Sequence, residues 1–251
     1  MTDLAKIDDE LLSSEDFIKF LRLSGKFGEL IDEFLGHKLT VHAAKKQGIN
    51  IEEDDVQERA DQYRRIHGLH RSKDMMDHLD ELGVSVEEFG ISLEENLIHE
   101  KMNAEIQSEK AVTDYFTLNS PKFESIELSN IILDTEGKTQ EIMAVLEDDP
   151  EIFAELAKEH SIAADSAENG GAIGKVFRET MVPEIEAKVF NASVGEIIGP
   201  FTDDDGLIFE VFRVTEKYPA ECDAAIKKKI QKYLYESWLE SRMSEHKIEV
   251  L

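Results

Sequence analysis

Few side chains in this sequence have the types and the spacing that chemistry requires. His67, His70 and His78 are close in sequence, as the ligands of a metal ion often are. Gly68 lies between the first two, where a helix is expected to end, so their rings need not share a face. Cys222 has no nearby histidine to activate it as a nucleophile. We therefore expect exposed polar histidines and an ordinary thiol, with no metal and no cofactor.

A run of three aspartates marks a turn in the C-terminal half. Asp203–Asp205 precede Gly206 and a mainly apolar stretch, a pattern typical of a turn between two strands. The run is either a set of solvated turn residues or an acidic rim that selects basic peptides. The sequence leaves both interpretations open.

The composition excludes two classes of protein. A net charge of -27 opposes binding to a phosphate backbone, because such binding depends on clustered lysine and arginine. No apolar run approaches the roughly 20 residues that a membrane span needs. The first residues lack the basic start and apolar stretch of a secretory signal, so the sequence predicts a cytoplasmic protein. The single cysteine fits that compartment, although a mature secreted form would look the same.

The N-terminal half has a helical pattern. From Asp16 to about Phe116, apolar residues recur at three- and four-residue spacing. Gly48 is expected to end one long helix. Another is expected to run from Ser85 towards Phe116, entered through a capping box formed by Ser85 and Glu88.

The pattern changes after this helical region. Asn119–Pro121 interrupt it and mark a domain boundary, and residues 123–133 alternate and then become apolar, as a buried strand does. A last helix is expected from Pro219 to about His246, with an apolar stripe that needs a partner surface. We predict a helical region over residues 1–118, a mixed domain over 119–218, and a C-terminal helix over 219–251 that packs on the N-terminal region.

Five segments between Phe153 and Val214 form a combined motif. They are FAELAKEHS, the glycine turn NGGAIG, MVPEIEAKVF, VGEIIGPF and DDDGLIFEVFRV. Their order closely resembles the parvulin (PpiC-type) family of peptidyl-prolyl cis/trans isomerases. The resemblance implies an α+β fold, with a four-stranded, mainly antiparallel sheet and helices. The preceding helices resemble the chaperone region of bacterial parvulin-type foldases, which implies that the parvulin-like domain is inserted into a helical unit.

The resemblance also implies an apolar cup for a proline ring. Met181 and Phe190 match the methionine and a phenylalanine of the family's pocket, and Ile173 matches the leucine after its glycine turn. Ile185 stands where the family usually has a second phenylalanine, so a wider or shallower cup is expected. For Phe190, an ordinary core position is an equally good interpretation, because apolar residues at helical spacing are usually buried.

The polar wall that the family places beside this cup is missing here. Its two histidines fall on Asn130 and Ile208, and its loop cysteine or aspartate falls on Ala163 or Ala164. The loss of all three groups together predicts that the domain is not maintained for fast catalysis.

Three side chains are candidate substitutes for the lost groups. Asn130 can hydrogen-bond a carbonyl, and Asp165 lies one or two positions beyond the loop site. Asp205 stands where the family has a hydroxyl in its final hairpin. Isomerisation depends mainly on shape and desolvation, so an altered site can still catalyse it.

Three functions remain open from the sequence. The first is a peptide-binding chaperone or foldase with weak or no turnover, whose clients are proline-containing or unfolded polypeptides, basic ones if Asp203–Asp205 form a rim. The second is an active prolyl isomerase that uses the substitutes. The third is a protein-interaction scaffold.

Overall fold

The computed structural model describes residues 3–250, which fold into two compact units. The first, which we call the helical unit, contains the chain as far as Val112 and again from Gln231 onward. The second, the sheet unit, is Thr113–Ile230. The domain boundaries inferred from sequence, after residues 118 and 218, remain proposals.

The helical unit begins with a hairpin that the sequence analysis did not predict. Strands β1 (Asp3–Ile7) and β2 (Glu10–Ser13) are antiparallel. Five helices follow, and they are α1 Ser14–Leu23, α2 Lys26–Lys46, α3 Glu53–Ile66, α4 Ser72–Leu82 and α5 Val86–Ile106. None of the helices in residues 3–250 has the length and apolar character needed to cross a membrane.

The predicted long helix after Ser85 is two helices. Its capping box is present, since the Ser85 hydroxyl accepts a hydrogen bond from the Glu88 amide at 3.1 Å. Helix α5 ends at Ile106, however, and α6 runs over Glu109–Asn119. Ser108 accounts for the break, because its hydroxyl accepts a hydrogen bond from the Ala111 amide and so caps the new helix.

The last helix, α11 (Ala224–Glu245), contributes to the core of the helical unit. Trp238 packs against a buried cluster from α2, the loop after it, and α5, whose members are Val41, Ala44, Ile49, Ile98 and Met102. The hydroxyls of Thr40 and Tyr235 are 3.1 Å apart. Gly36 permits close approach, since a Cβ there would lie 3.1 Å from Leu239. The helix starts five residues after the predicted Pro219, where Asp223 caps it through the Ile226 amide.

The sheet unit contains a four-stranded sheet in which all neighbours are antiparallel, in the order β4-β3-β6-β5. The strands are β3 Ser125–Leu133, β4 Ala172–Phe177, β5 Ile197–Thr202 and β6 Phe209–Tyr218. Its helices are α7 Glu136–Asp148, α8 Phe153–His160, α9 Ala164–Ala167 and α10 Pro183–Asn191. The predicted α+β class and four-stranded antiparallel sheet are confirmed.

Each face of this sheet buries its own apolar cluster, because side chains alternate along a strand. One face packs with α10 and holds the first cluster, which includes Ile126, Leu128, Phe190, Phe212 and Val214. The other face packs with α7 and α8 and holds the second cluster, which includes Ile131, Leu133, Ile142, Phe153 and Val211. The two faces can therefore carry different sites.

Replacing Trp238 with alanine should lower the free energy of unfolding of the helical unit by about 3 kcal/mol, the lower end for truncating a core aromatic ring. The low value is expected because Trp238 is only half-buried. Urea unfolding followed by far-ultraviolet circular dichroism measures the change. Ser237→Ala, at the exposed neighbouring position, is the matched control. Equal midpoints for the two variants would show that this part of α11 does not stabilise the helical unit.

Candidate functional site

The glycine turn is fixed against the central strand β3. Gly171 has a φ of +83°, and a Cβ on it would lie 2.4 Å from the Asn130 carbonyl oxygen. The Asn130 amide donates a hydrogen bond of 2.8 Å to the Gly171 carbonyl. Only glycine fits a backbone in this conformation and this close to another. The turn thereby holds the loop before it beside Asn130.

A chain of three polar side chains lies at this point. The Ser166 hydroxyl donates to Asn130 Oδ1 at 2.9 Å, and Asn130 Nδ2 donates to Glu210 Oε1 at 2.6 Å. Asn130 is 5% exposed. The amide accepts on one side and donates on the other, so its two ends are matched to a hydroxyl and a carboxylate.

Glu210 is a carboxyl group in a largely apolar setting. Burial raises its pKa above the ordinary value, and the hydrogen bond from Asn130 opposes that shift only partly. In the sheet its backbone lies opposite Ile132 of β3 and Phe201 of β5. The group is therefore easier to protonate than an exposed glutamate.

Strand alternation explains why these groups meet. On β3, Ile126 and Leu128 face the first cluster, and Asn130 is the next residue of that row. On β6, Phe212 faces the same cluster, and Glu210 is the next residue of its row. Each row thus changes from apolar to polar at the same end of the sheet.

Three of the four residues predicted for the apolar cup pack together, and their binding of a proline ring stays a prediction. Phe190 is buried in the first cluster, and Met181 and Ile185 pack at its margin, half-buried. Phe201 joins them, with its ring centroid 5.8 Å from that of Phe212. The structure thus brings together a methionine, an isoleucine and three phenylalanines on the face that carries Asn130.

Arg178 lies over one end of this cup. Its guanidinium is 4.6 Å from the centroid of the Phe190 ring. It also forms ion pairs with Glu124 at 2.9 Å and with Glu186 at 2.7 Å. The cation is neutralised by these carboxylates, so it closes the cup rather than attracting an anion.

Four other predicted site residues are exposed and belong neither to the polar chain nor to the first cluster. Ile173 and Ile208 are 40% and 37% exposed and are outside the first cluster. Asp165 and Asp205 are exposed, and it is Ser166, the neighbour of Asp165, that reaches Asn130. Their assignment to the site stays a prediction.

The aspartate run has a structural member. Asp203 accepts hydrogen bonds from the amides of Leu207 and Ile208, at 2.8 and 2.9 Å, so its carboxylate orders the turn. Asp204 and Asp205 are exposed.

Two residues of the polar chain, Ser166 and Glu210, were missed by the sequence analysis. The family motif, read forward from Gly206, places its second histidine at Ile208. Strand alternation, read back from the buried Phe212, instead places Glu210 on the face of the first cluster. The two readings differ because turn length is not fixed by the sequence pattern. A single glutamate in the apolar run Phe209–Phe212 was the available signal.

Comparison with known proteins assigns this unit to a class. Residues 130–216 match the Rotamase family model, described as the PPIC-type PPIASE domain. This part of the chain is therefore a parvulin-type (PpiC-type) domain.

Over a greater length, the chain resembles foldases named PrsA. The foldase protein PrsA of Halalkalibacterium halodurans is 25% identical over 228 residues, 85% of this chain and 65% of that protein. That of Caldanaerobacter subterraneus is 30% identical over 176 residues, 68% of this chain and 51% of that protein. That of Oceanobacillus iheyensis is 37% identical over 123 residues, 49% of this chain and 40% of that protein. The chain thus spans less than two thirds of each of these relatives.

Solved structures of related proteins include peptidylprolyl isomerase (PrsA) from Bacillus cereus. It matches with a TM-score of 0.48 and 19% identity, over 99% of this chain and 93% of that one. The protein of the same name from Bacillus anthracis matches with a TM-score of 0.41 and 22% identity, over 88% and 99% of the two chains.

Glu210→Gln should stabilise the sheet unit at neutral pH. Because the folded-state pKa of Glu210 is raised, folding favours the protonated carboxyl, and stability is lost as pH rises from the ordinary value of 4.5 through the raised one. Glutamine keeps an acceptor for Asn130 and removes the charge. Urea unfolding at about pH 7 and about pH 4 should show stabilisation relative to wild type at the higher pH and a smaller effect at the lower.

The exposed Glu141→Gln is the control for that measurement, since it removes one charge from the same acidic unit. An equal, pH-independent effect of both variants would contradict a raised pKa at Glu210.

Proposed function

We propose that this protein is a polypeptide-binding chaperone or foldase of the peptidyl-prolyl isomerase family, whose parvulin-type domain holds proline-containing segments with weak turnover. The observation that carries the proposal is an assembled apolar cup beside a polar chain that contains no imidazole. The named relatives support it, since all three are foldases.

The polar chain is poorly suited to rate acceleration. Rotation about an X-Pro bond has a barrier of about 18–20 kcal/mol, and a catalyst must favour the twisted state over the planar one. Asn130 Nδ2 already donates one of its two N–H groups to Glu210, so the orientation of the amide is fixed and only the other N–H is left for a substrate carbonyl. An ionised Glu210 would also repel the carbonyl oxygen as it rotates past.

An active isomerase with an altered site is the second candidate. The observation that favours it is the raised pKa of Glu210, because a protonated carboxyl can donate a hydrogen bond to a carbonyl. Activity of this kind would increase as pH falls. A purely scaffolding role is the third candidate. Binding of proline-containing peptides at the cup would distinguish the chaperone or foldase from such a scaffold.

The helical unit offers an independent reason to propose polypeptide clients. The N-terminal hairpin and α1 line an open cavity of about 350 Å³. Its accessible lining is almost entirely apolar and includes Leu4, Leu12, Phe17 and Phe20. Leu23, at the end of α1, is 90% exposed. Exposed apolar surface of this kind is typical of protein-binding sites.

Isomerase activity of the wild type should be weak. It should increase when two histidines replace Asn130 and Glu210, whose side chains are in contact. In a protease-coupled assay on X-Pro peptides, we expect wild-type kcat/KM well below roughly 10⁶ M⁻¹s⁻¹. Asn130→His with Glu210→His should raise it by at least about tenfold, which corresponds to about 1.4 kcal/mol of transition-state stabilisation.

Asn130→His with Ile208→His is the matched control for this restoration. It should give a smaller gain, because Ile208 is exposed and outside the first cluster. Fast wild-type turnover would overturn the proposal of a weak site. A greater gain from the control would assign the second imidazole position to residue 208.

Peptide binding at the cup should depend on Met181. Met181→Ala should weaken proline-containing peptides of every charge, because it removes apolar contact that all of them share. Val182→Ala, at the exposed neighbouring position, should leave their affinity unchanged. Isothermal titration with a Lys-Pro and a Glu-Pro peptide measures both. An unchanged affinity in Met181→Ala would show that clients bind elsewhere.

The same titrations test whether the aspartate run selects basic peptides. Asp204→Asn with Asp205→Asn should weaken only the Lys-Pro peptide, and less so in high salt, which screens exposed charges beyond about 10 Å at 0.1 M. Asp203 is left intact because it orders the turn. Equal wild-type affinities for the two peptides would refute the acidic rim.

A further inference from the structure

The face of the sheet opposite the cup has a groove of its own. Its walls are helix α7 and strand β5, and two adjoining cavities of about 560 and 290 Å³ lie along it, sharing Met143 and Glu147. Met143 and Phe209 pack partly buried against the second cluster and form the apolar floor. The groove is thus separate from the cup, which lies on the face of the first cluster.

One wall of the groove is a single face of α7. The helical residues that line it recur at three- and four-residue spacing, and they are Glu136, Thr139, Gln140, Met143, Ala144, Leu146 and Glu147. Its apolar members are central and its carboxylates lie at either end. This order predicts a ligand with an apolar middle and a cationic group on each side.

The other wall is an edge of the sheet. Strand β5 pairs with β6 only, so within residues 3–250 its outer side faces no further strand. An extended polypeptide beside an edge strand, packed under a helix, is a common way for proteins to bind peptides. Pro200 has no N–H and interrupts any continuous ladder, so selection must come mainly from side chains.

The two carboxylates of the groove have no ionic partner among its lining residues, and only Glu136, in the first turn of α7, is favoured by the helix dipole. No lysine, arginine or histidine is among the described residues that line either cavity. Glu136 accepts a hydrogen bond from the neutral Gln140 amide at 3.2 Å, and Glu147 forms no ion pair within residues 3–250. Two carboxylates at the ends of an apolar floor favour a cationic partner.

The geometry also sets the spacing of the partner's charges. Glu147 is eleven positions after Glu136 in the helix, which is a rise of about 16 Å at 1.5 Å per residue. An extended chain covers that distance in about five residues at roughly 3.3 Å each. We propose that this groove binds an extended polypeptide segment with two basic residues about five positions apart and apolar side chains between them.

The test uses a proline-free peptide, so that the cup is not involved. Fluorescence polarisation of capped, fluorescein-labelled Lys-Ala-Leu-Val-Ala-Lys on the full chain should show salt-sensitive binding, tighter than that of Lys-Lys-Ala-Leu-Val-Ala. Glu136→Gln with Glu147→Gln should weaken it by about tenfold at low salt. Met143→Ala should weaken it severalfold with its salt dependence retained.

Two matched variants distinguish binding in the groove from binding elsewhere on the protein. Glu141→Gln, exposed on the same helix but outside the groove, should leave the affinity unchanged. An equal loss in this variant would assign binding to the general negative field of the protein and overturn the proposal. Met181→Ala should also have no effect, and a loss there would place the peptide in the cup. The proposal for the groove and the proposal for the cup can therefore be contradicted separately.

A second copy of this chain is the remaining alternative occupant. Sedimentation velocity of wild type and of Glu136→Gln with Glu147→Gln decides between them. Equal sedimentation coefficients support a peptide ligand, whereas a wild-type oligomer lost in the variant would contradict it.

Discussion

The burial of strand β3 on both faces is the constraint on which the sheet unit depends. Seven of its nine residues are buried, and it pairs with β4 on one side and β6 on the other. The buried polar groups of a strand in this position have no access to water, so each must find a partner inside the protein. Helices α7, α8 and α10 and the glycine turn are the elements that cover it.

Asn130 is where that constraint meets function. Leaving either end of a buried amide without a partner costs about 1–3 kcal/mol. Ser166 and Glu210 are therefore needed for the stability of the fold, whatever their role in activity. Within this polar chain the Ser166 hydroxyl and one N–H of the Asn130 amide each have an acceptor. The second N–H cannot turn to follow a rotating substrate carbonyl without breaking the bond to Glu210, which is a physical reason for slow turnover at the predicted cup.

The sequence predicts what depends on local pattern and misses what depends on contacts between distant segments. The helix end near Gly48, the helix start at Ser85 and the strand containing Asn130 follow from periodicity and capping. The packing of Met181 with Phe190 agrees with the motif order. The break at Ser108 is a local signal that a strong helical pattern obscures. Glu210 was missed because the length of a turn decides which residue of β6 faces inward, and only the pairing with β3 fixes that register.

That register also determines how the two proposed surfaces relate. Phe209 and Glu210 are adjacent in β6, yet one packs with the second cluster at the groove and the other contacts Asn130 on the face of the cup. Adjacent positions do not imply coupling, because coupling needs an element with two arrangements that both ligands bias. A strand hydrogen-bonded on both edges offers no such element. The two surfaces should therefore bind their ligands independently. The affinity of the groove for its peptide should be unchanged when a second ligand saturates the cup.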